Sequence, residues 1–275
     1  MTESVASHSP SHAAAWWGLR KLECQQSLKI ELEGLRFAVT RQMNEWRFFY
    51  DQPGVSATPP ASHWQQQLGD VAPDEYKEMA RFMFRTTHTT LNIIPALADR
   101  PVVTTPTTPL NLPPDEEVTL FVSSPLWMQV YSEGGTLPLL DIPIQRISDT
   151  WFGSSTQSGE LCYASRTHGY LSLQQVPIRM HRAITPVVVK NNAGTNLLLE
   201  RISLPAPNLS LYADQESRLW TETITLERES DGDMASLAIA PHPPAQLESP
   251  VRLCEPRSKL HKSSLAIRAF SVLFD

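Results

Sequence analysis

Glycine is scarce in this chain, 11 residues in 275 against 23 prolines. That balance excludes a collagen-like or flexible low-complexity chain and calls for stiff, proline-punctuated connections. Cysteine is scarcer still. Cys24, Cys162 and Cys254 are odd in number, widely spaced and without a C-x-x-C pair, so neither a disulfide framework nor a zinc site is expected, and reduced thiols are. Basic charge is in deficit: 23 Lys and Arg stand against 29 Asp and Glu, a formal net charge of -6. Such a balance works against phosphate-backbone binding, and nucleic acid is not expected as a partner.

No window reaches the roughly 18 consecutive apolar residues of a membrane helix. The best candidate, 183–189, is broken by Thr185 and Pro186, so an integral membrane protein is not expected. The first residues carry Glu3, no early Lys or Arg and no uninterrupted apolar stretch. No secretory signal is read there, and a cytoplasmic location is expected. H-x-H, H-E-x-x-H, G-x-S-x-G, phosphate-loop and dinucleotide signatures are all missing. His168 and His181, with Glu160, are the right types for a two-histidine, one-carboxylate metal site but lack its local spacing. No metal and no cofactor is therefore expected.

What is present is alternation. Leu28, Ile30 and Leu32 oppose Lys29, Glu31 and Glu33, and after a break at Gly34 the pattern resumes at Leu35, Phe37 and Val39, the period of half-buried strands around a turn. Further strands are expected at 46–50, 118–122, 126–131, 209–212 and 219–226. Residues 51–73, with four prolines and two glycines, read as a long loop with a helical turn near 64–68, and Pro73 with Asp74 and Glu75 suggests a short helix over 73–80. The prolines at 95, 101, 106, 109, 113 and 114 forbid an ordinary helix there. Two apolar runs within 184–205 flank Asn191, Asn192 and Gly194, which predicts a hairpin.

Strands that recur at short spacing, with turn signals between them, favour an all-β fold. The expected fold is an antiparallel β-sandwich, Ig-like or jelly-roll-like, as one body or two packed β halves with few short helices. The expected organisation is a polar tail over 1–12, a β-rich globular domain over 13–250 with a subdivision near 115–125, and a C-terminal segment over 251–275.

The segment DTWFGSSTQSGELCYASR, residues 149–166, concentrates aromatics and charges in a short compass, the composition of a polar-ligand cleft. Asp149, Trp151, Glu160, Arg166, His181 and Arg182 are the candidate ligand-binding residues. Arg166, Arg179, His181 and Arg182 gather positive charge that could hold a carboxylate or phosphate, or simply balance Asp149, Glu160 and Glu200. Asp149 and Glu160 could form a proton-transfer pair, with a salt bridge to Arg146 or Arg166 as the plainer alternative. Cys162 reads as a buried, inert thiol.

DTWFGSSTQSGELCYASRT, HRAITPVVVKN, LLLERISLP and LWTETITLERE together resemble the core of an uncharacterised bacterial and archaeal family of unknown function, over about residues 90–230. The resemblance implies no catalytic residues, and it implies a possible setting among small mechanosensitive-channel systems. The expected function is thus a noncatalytic β-sandwich module that binds a small polar or anionic ligand or a protein partner. A hydrolase using the carboxylate pair and a structural or assembly protein, the latter with a link to a membrane channel system, are the alternatives.

Overall fold

The computed structural model describes residues 15–53, 64–69, 76–153, 159–167, 169–230, 234–258 and 265–268; the expected tail over 1–12 and His168 lie outside them. Strands β1 (Gly18–Lys21), β2 (Ser27–Leu32), β3 (Leu35–Arg41), β4 (Glu45–Asp51), β5 (Gln65–Gly69), β6 (Glu78–Met83), β7 (Thr90–Ala96) and β8 (Val102–Pro106) come first. They are followed by β9 (Leu110–Leu112), β10 (Glu116–Pro125), β11 (Trp127–Ser132), β12 (Leu140–Pro143), β13 (Ser148–Gly153), β14 (Gly159–Thr167) and β15 (Arg182–Asn191). The chain ends with β16 (Leu197–Leu199), β17 (Ile202–Leu204), β18 (Leu211–Ala213), β19 (Leu219–Trp220), β20 (Ile224–Arg228), β21 (Met234–Ile239), β22 (Val251–Cys254) and β23 (Leu265–Arg268). The fold is all-β. Its helical content among the described residues is two 3-10 turns, Leu173–Gln175 and Ala206–Asn208.

The strands form packed sheets in a β-sandwich arrangement. The N-terminal sheet runs β5-β2-β3-β4-β6, antiparallel throughout. Its first hairpin follows directly from the alternating sequence. Leu32 pairs with Leu35 across Glu33-Gly34, and Gly34 takes φ +92°, a conformation L side chains rarely adopt. A second sheet runs β1-β7-β11-β12 and a third β13-β14-β8-β17. The largest runs β22-β18-β19-β15-β20-β21-β23, with β10 also on β15, and β9 pairs with β16. One hydrophobic cluster extends from Trp16 to Leu237 and takes side chains from every sheet, among them Phe37, Met128, Val102, Leu197 and Val187.

Three pairings are parallel, β14 with β8 and β15 with both β19 and β20. β15 lies at the centre, zipped to β10 from Glu116↔Asn191 to Pro125↔Arg182. Its interior proline is accommodated by its neighbours. Phe121, opposite Pro186, exchanges its backbone hydrogen bonds with Tyr170 instead, and the other side of Pro186 faces the break between β19 and β20. No N–H is owed at that position.

Three local expectations are corrected. The helical turn near 64–68 is strand β5, edge partner of β2 in the register Leu28↔Leu68; its QQQ run stays exposed because it lies at the rim. Residues 78–80, expected to close a helix, begin β6 and pair with Tyr50–Phe48 of β4. The two apolar runs around Asn191 do not pair with each other: β16 pairs with β9 and β17 with β8. The cause is Asn191 itself, fully buried, whose Nδ2 lies within reach of the carbonyls of Leu112 (2.9 Å), Pro113 (3.0 Å) and Thr195 (2.9 Å), shares its two hydrogens among them and so ties the turn to β9. The 209–228 stretch does turn back as expected, with β18 on β19 across Asp214 to Arg218.

Candidate functional site

Residues 149–166 form the hairpin β13–β14, with Asp149 opposite Tyr163, Trp151 opposite Leu161 and Phe152 opposite Glu160. Gly153 pairs with Gly159, where a Cβ would come within 2.7 Å of the Phe152 carbonyl; the SSTQS tip lies outside the described residues. One face is inward. Phe152 and Cys162 pack with Val103, and burial pushes the Cys162 thiol up to about 12, with Glu160 adding to the shift and Arg201 opposing it. It is an inert, protonated thiol.

Towards the tip the other face is open, with Trp151 42% and Leu161 45% exposed as direct cross-strand neighbours. Asp149 is exposed there and pairs with Arg100 at 3.4 Å, while Arg100 also lies 5.3 Å from the centre of the Tyr163 ring. Glu160 and Arg166 are exposed too. Glu160 stands opposite Phe152, three residues from Asp149, and alternation sends residues an odd number apart to opposite faces. The two carboxylates therefore share no cleft, and the geometry of a proton-transfer pair is not formed.

His181 and Arg182 lie elsewhere, inside the molecule at the start of β15. Arg182, largely buried, donates from Nε to Ser123 Oγ (2.6 Å) and from Nη2 to the Ser123 carbonyl (2.5 Å) and Ser165 Oγ (2.9 Å). Its Nη1 donates to Gln145 Oε1 at 3.3 Å, and Gln145 Nε2 lies 2.7 Å from His181 Nε2. A guanidinium has no acceptor, so the amide must show it oxygen and turn its NH2 to the imidazole. His181 Nε2 is then an acceptor, and the ring proton sits on Nδ1, which faces Glu33 Oε2 at 3.6 Å.

Electrostatics agree with this tautomer. Burial first, then Arg182 and Arg179, lowers the His181 pKa to about 3, so the ring is neutral. Burial and Arg179 lower that of Arg182 to about 10, and it remains a cation. The carboxylate in their midst is Glu33, from the β2–β3 turn, 3.2 Å from Arg179. Gly34 beside it leaves room for Gln145, whose Cγ would lie 2.9 Å from a Cβ there. Of the expected cationic cluster, Arg179, His181 and Arg182 are together and Arg166 is not, because Ser165 rather than Arg166 turns inward. Their oxygen partners are protein groups, and the node joins the N-terminal sheet to β10, β14 and β15. Glu33 was missed by sequence reasoning because 146 residues separate it from Arg179; its only local signal is a carboxylate in a two-residue turn.

A concavity unrelated to the segment lies where three sheet edges meet. β1, β5 and β22 are each terminal strands of their sheets, and between them opens a groove of about 420 Å³ lined by Trp17, Trp64, Arg20, Gln66, Val251 and Leu253, with small residues behind. Trp16 fixes its rim: the ring is fully buried, its Nε1 donates to the Met180 carbonyl at 2.8 Å, and it meets Trp17 edge-on at 5.5 Å. Adjacent indoles before a glycine were the sequence signal here. Nothing local placed Trp64 or Leu253 beside them.

Among the described residues, no group of three or more His, Cys, Asp or Glu is placed to hold a metal, and no helix is long and apolar enough to cross a membrane. The fold and these features define a multi-sheet β-sandwich protein with an internal polar node and a roomy groove. A family model described as protein of unknown function, DUF432, matches residues 16–275, and the chain belongs to that family. The match extends the resemblance seen over 90–230 to almost the whole chain. No curated protein and no solved structure matches it.

Proposed function

We propose that this protein is a noncatalytic binding module whose small ligand lies in the groove between β1, β5 and β22. The observation that carries the reading is the groove's make-up: about 420 Å³, two indole walls, an aliphatic floor and few polar groups. Preformed apolar clefts with a few orienting polar atoms are the usual form of small-molecule sites, and edge strands of three sheets frame this one. Arg182 and His181 support it only from a distance, by locking the sheets together. The free thiols of Cys24, Cys162 and Cys254 suit a reducing, cytoplasmic setting.

A thermal-shift screen of small organic acids, amines and sugars tests the site. Binding compounds raise Tm in the wild type and in Trp151→Ala, and the rise is lost in Trp64→Ala. Stabilisation that survives both Trp17→Ala and Trp64→Ala would place the ligand elsewhere. A second reading, a protein-contact surface on the open face of β13–β14 around Asp149 and Trp151, is favoured by the exposed Trp151–Leu161 pair.

A further inference from the structure

Among the described residues, Arg20 is the one charged side chain lining the groove. Gly18, at φ +113°, bends the chain so that the guanidinium reaches three nearby carbonyls, from Nη1 to Leu19 (3.1 Å) and from Nη2 to Ala15 (2.7 Å) and Trp17 (3.2 Å). These neutral acceptors hold the group in place without cancelling its charge. Its Nε–H is buried and has no acceptor. Elsewhere arginines meet carboxylates: Arg36 with Asp51, Arg81 with Glu45, Arg218 with Asp214, Arg257 with Asp141. Among the described residues Arg20 has no such partner, and no Asp or Glu lines the groove. Burial without a counter-ion lowers its pKa from the ordinary arginine value, which marks a cation that gains from an incoming anion.

Resting on the groove reading above, we propose that the ligand is an organic carboxylate: an anionic head on Arg20 and a flat or aliphatic body between Trp17 and Trp64. An anionic head at the guanidinium meets the uncompensated charge, a charge-assisted contact stronger than a neutral one. The indole faces and the Val251–Leu253 floor take the apolar part. Among the described lining residues Gln66 is the remaining polar side chain, able to meet a hydroxyl or a carbonyl on that body.

The experiment titrates the full chain with aryl and alkyl carboxylates, each matched to its neutral amide, by thermal shift and then calorimetry. Acids are expected to bind at least about tenfold more tightly than their amides. Arg20→Met lowers acid affinity more than amide affinity, so that the acid-to-amide ratio falls towards one; Arg20→Lys, which keeps the charge, retains part of the preference. If Arg20→Met does not fold, the acid-to-amide ratio in the wild type and in Arg20→Lys decides. Amides that bind as well as acids, with binding lost in Trp64→Ala, would overturn the anion inference and leave the groove reading standing. Binding by neither class, or binding indifferent to Trp64→Ala, overturns both.

Discussion

Arg182 has no acceptor atom, and through Gln145 that sets the protonation of His181. The groups facing the imidazole are Glu33 from the β2–β3 turn, Gln145 ahead of β13, and Arg179 and Arg182 on its own segment. Protonating Nε2 would set N–H against N–H at Gln145 and add a cation beside two others. The folded pKa of about 3 lies below the ordinary 6.5. The unfolded chain therefore binds the proton first on acidification, and the stabilisation is whole above pH 6.5 and lost as pH falls from there towards 3. Each proton changes stability by about 1.4 kcal/mol per pH unit inside that window. Urea denaturation at pH 7, 6 and 5 is expected to show declining stability in the wild type and a flatter profile in His181→Asn. Equal slopes would mean that His181 titrates normally in the fold. The identity of this residue as polar and special was legible, since His181 and Arg182 stand beside each other in an acidic chain; that they face inward to Glu33 was not.

β15 shows how far a strand's own pattern reaches. Its apolar run and its ending at Asn191 follow from local sequence, but its partners do not, since an apolar strand can pair on either edge and in either direction. The deciding group is the Asn191 side chain, which also accepts from Arg228 Nη1 at 3.1 Å. Asn191→Ala leaves the buried carbonyl of Leu112 without that donor and the Arg228 guanidinium without that acceptor, at a cost of about 2–4 kcal/mol. Chemical denaturation measures it; a loss below about 0.5 kcal/mol would show that the turn is held by the strands alone. β5 makes the complementary point. Gln65, Gln66 and Gln67 carry no strand signal of their own, yet the open edge of β2 supplies backbone partners and the run becomes strand, exposed because it is the rim.

Taken whole, the molecule has one continuous apolar cluster fed by every sheet, and its polar node and its groove each join elements from different sheets. Such coupling leads to a single cooperative unfolding step: far-UV and near-UV signals should change together, and calorimetric and van't Hoff enthalpies should agree within about 10%. Two resolved transitions would instead show the N-terminal sheet, β2 to β6, melting as a body of its own. The groove belongs to this scale as well. Its walls come from residues 15–20, 64–66, 213 and 251–253, a set that no local pattern assembles.

From its sequence alone the protein was committed to the all-β class, to a first hairpin turning at Glu33-Gly34, to an inert Cys162 and to its family, because alternation, turn chemistry and burial of small apolar groups act over a few residues. The tertiary structure decided which edges pair, which face of β13–β14 meets water, and where charge is balanced. It drew His181 and Arg182 inward, separated Asp149 from Glu160, and opened the space between Trp17 and Trp64. These outcomes depend on contacts between segments as far apart in the chain as Trp17 and Leu253, whose free energies exist only once the sheets have packed.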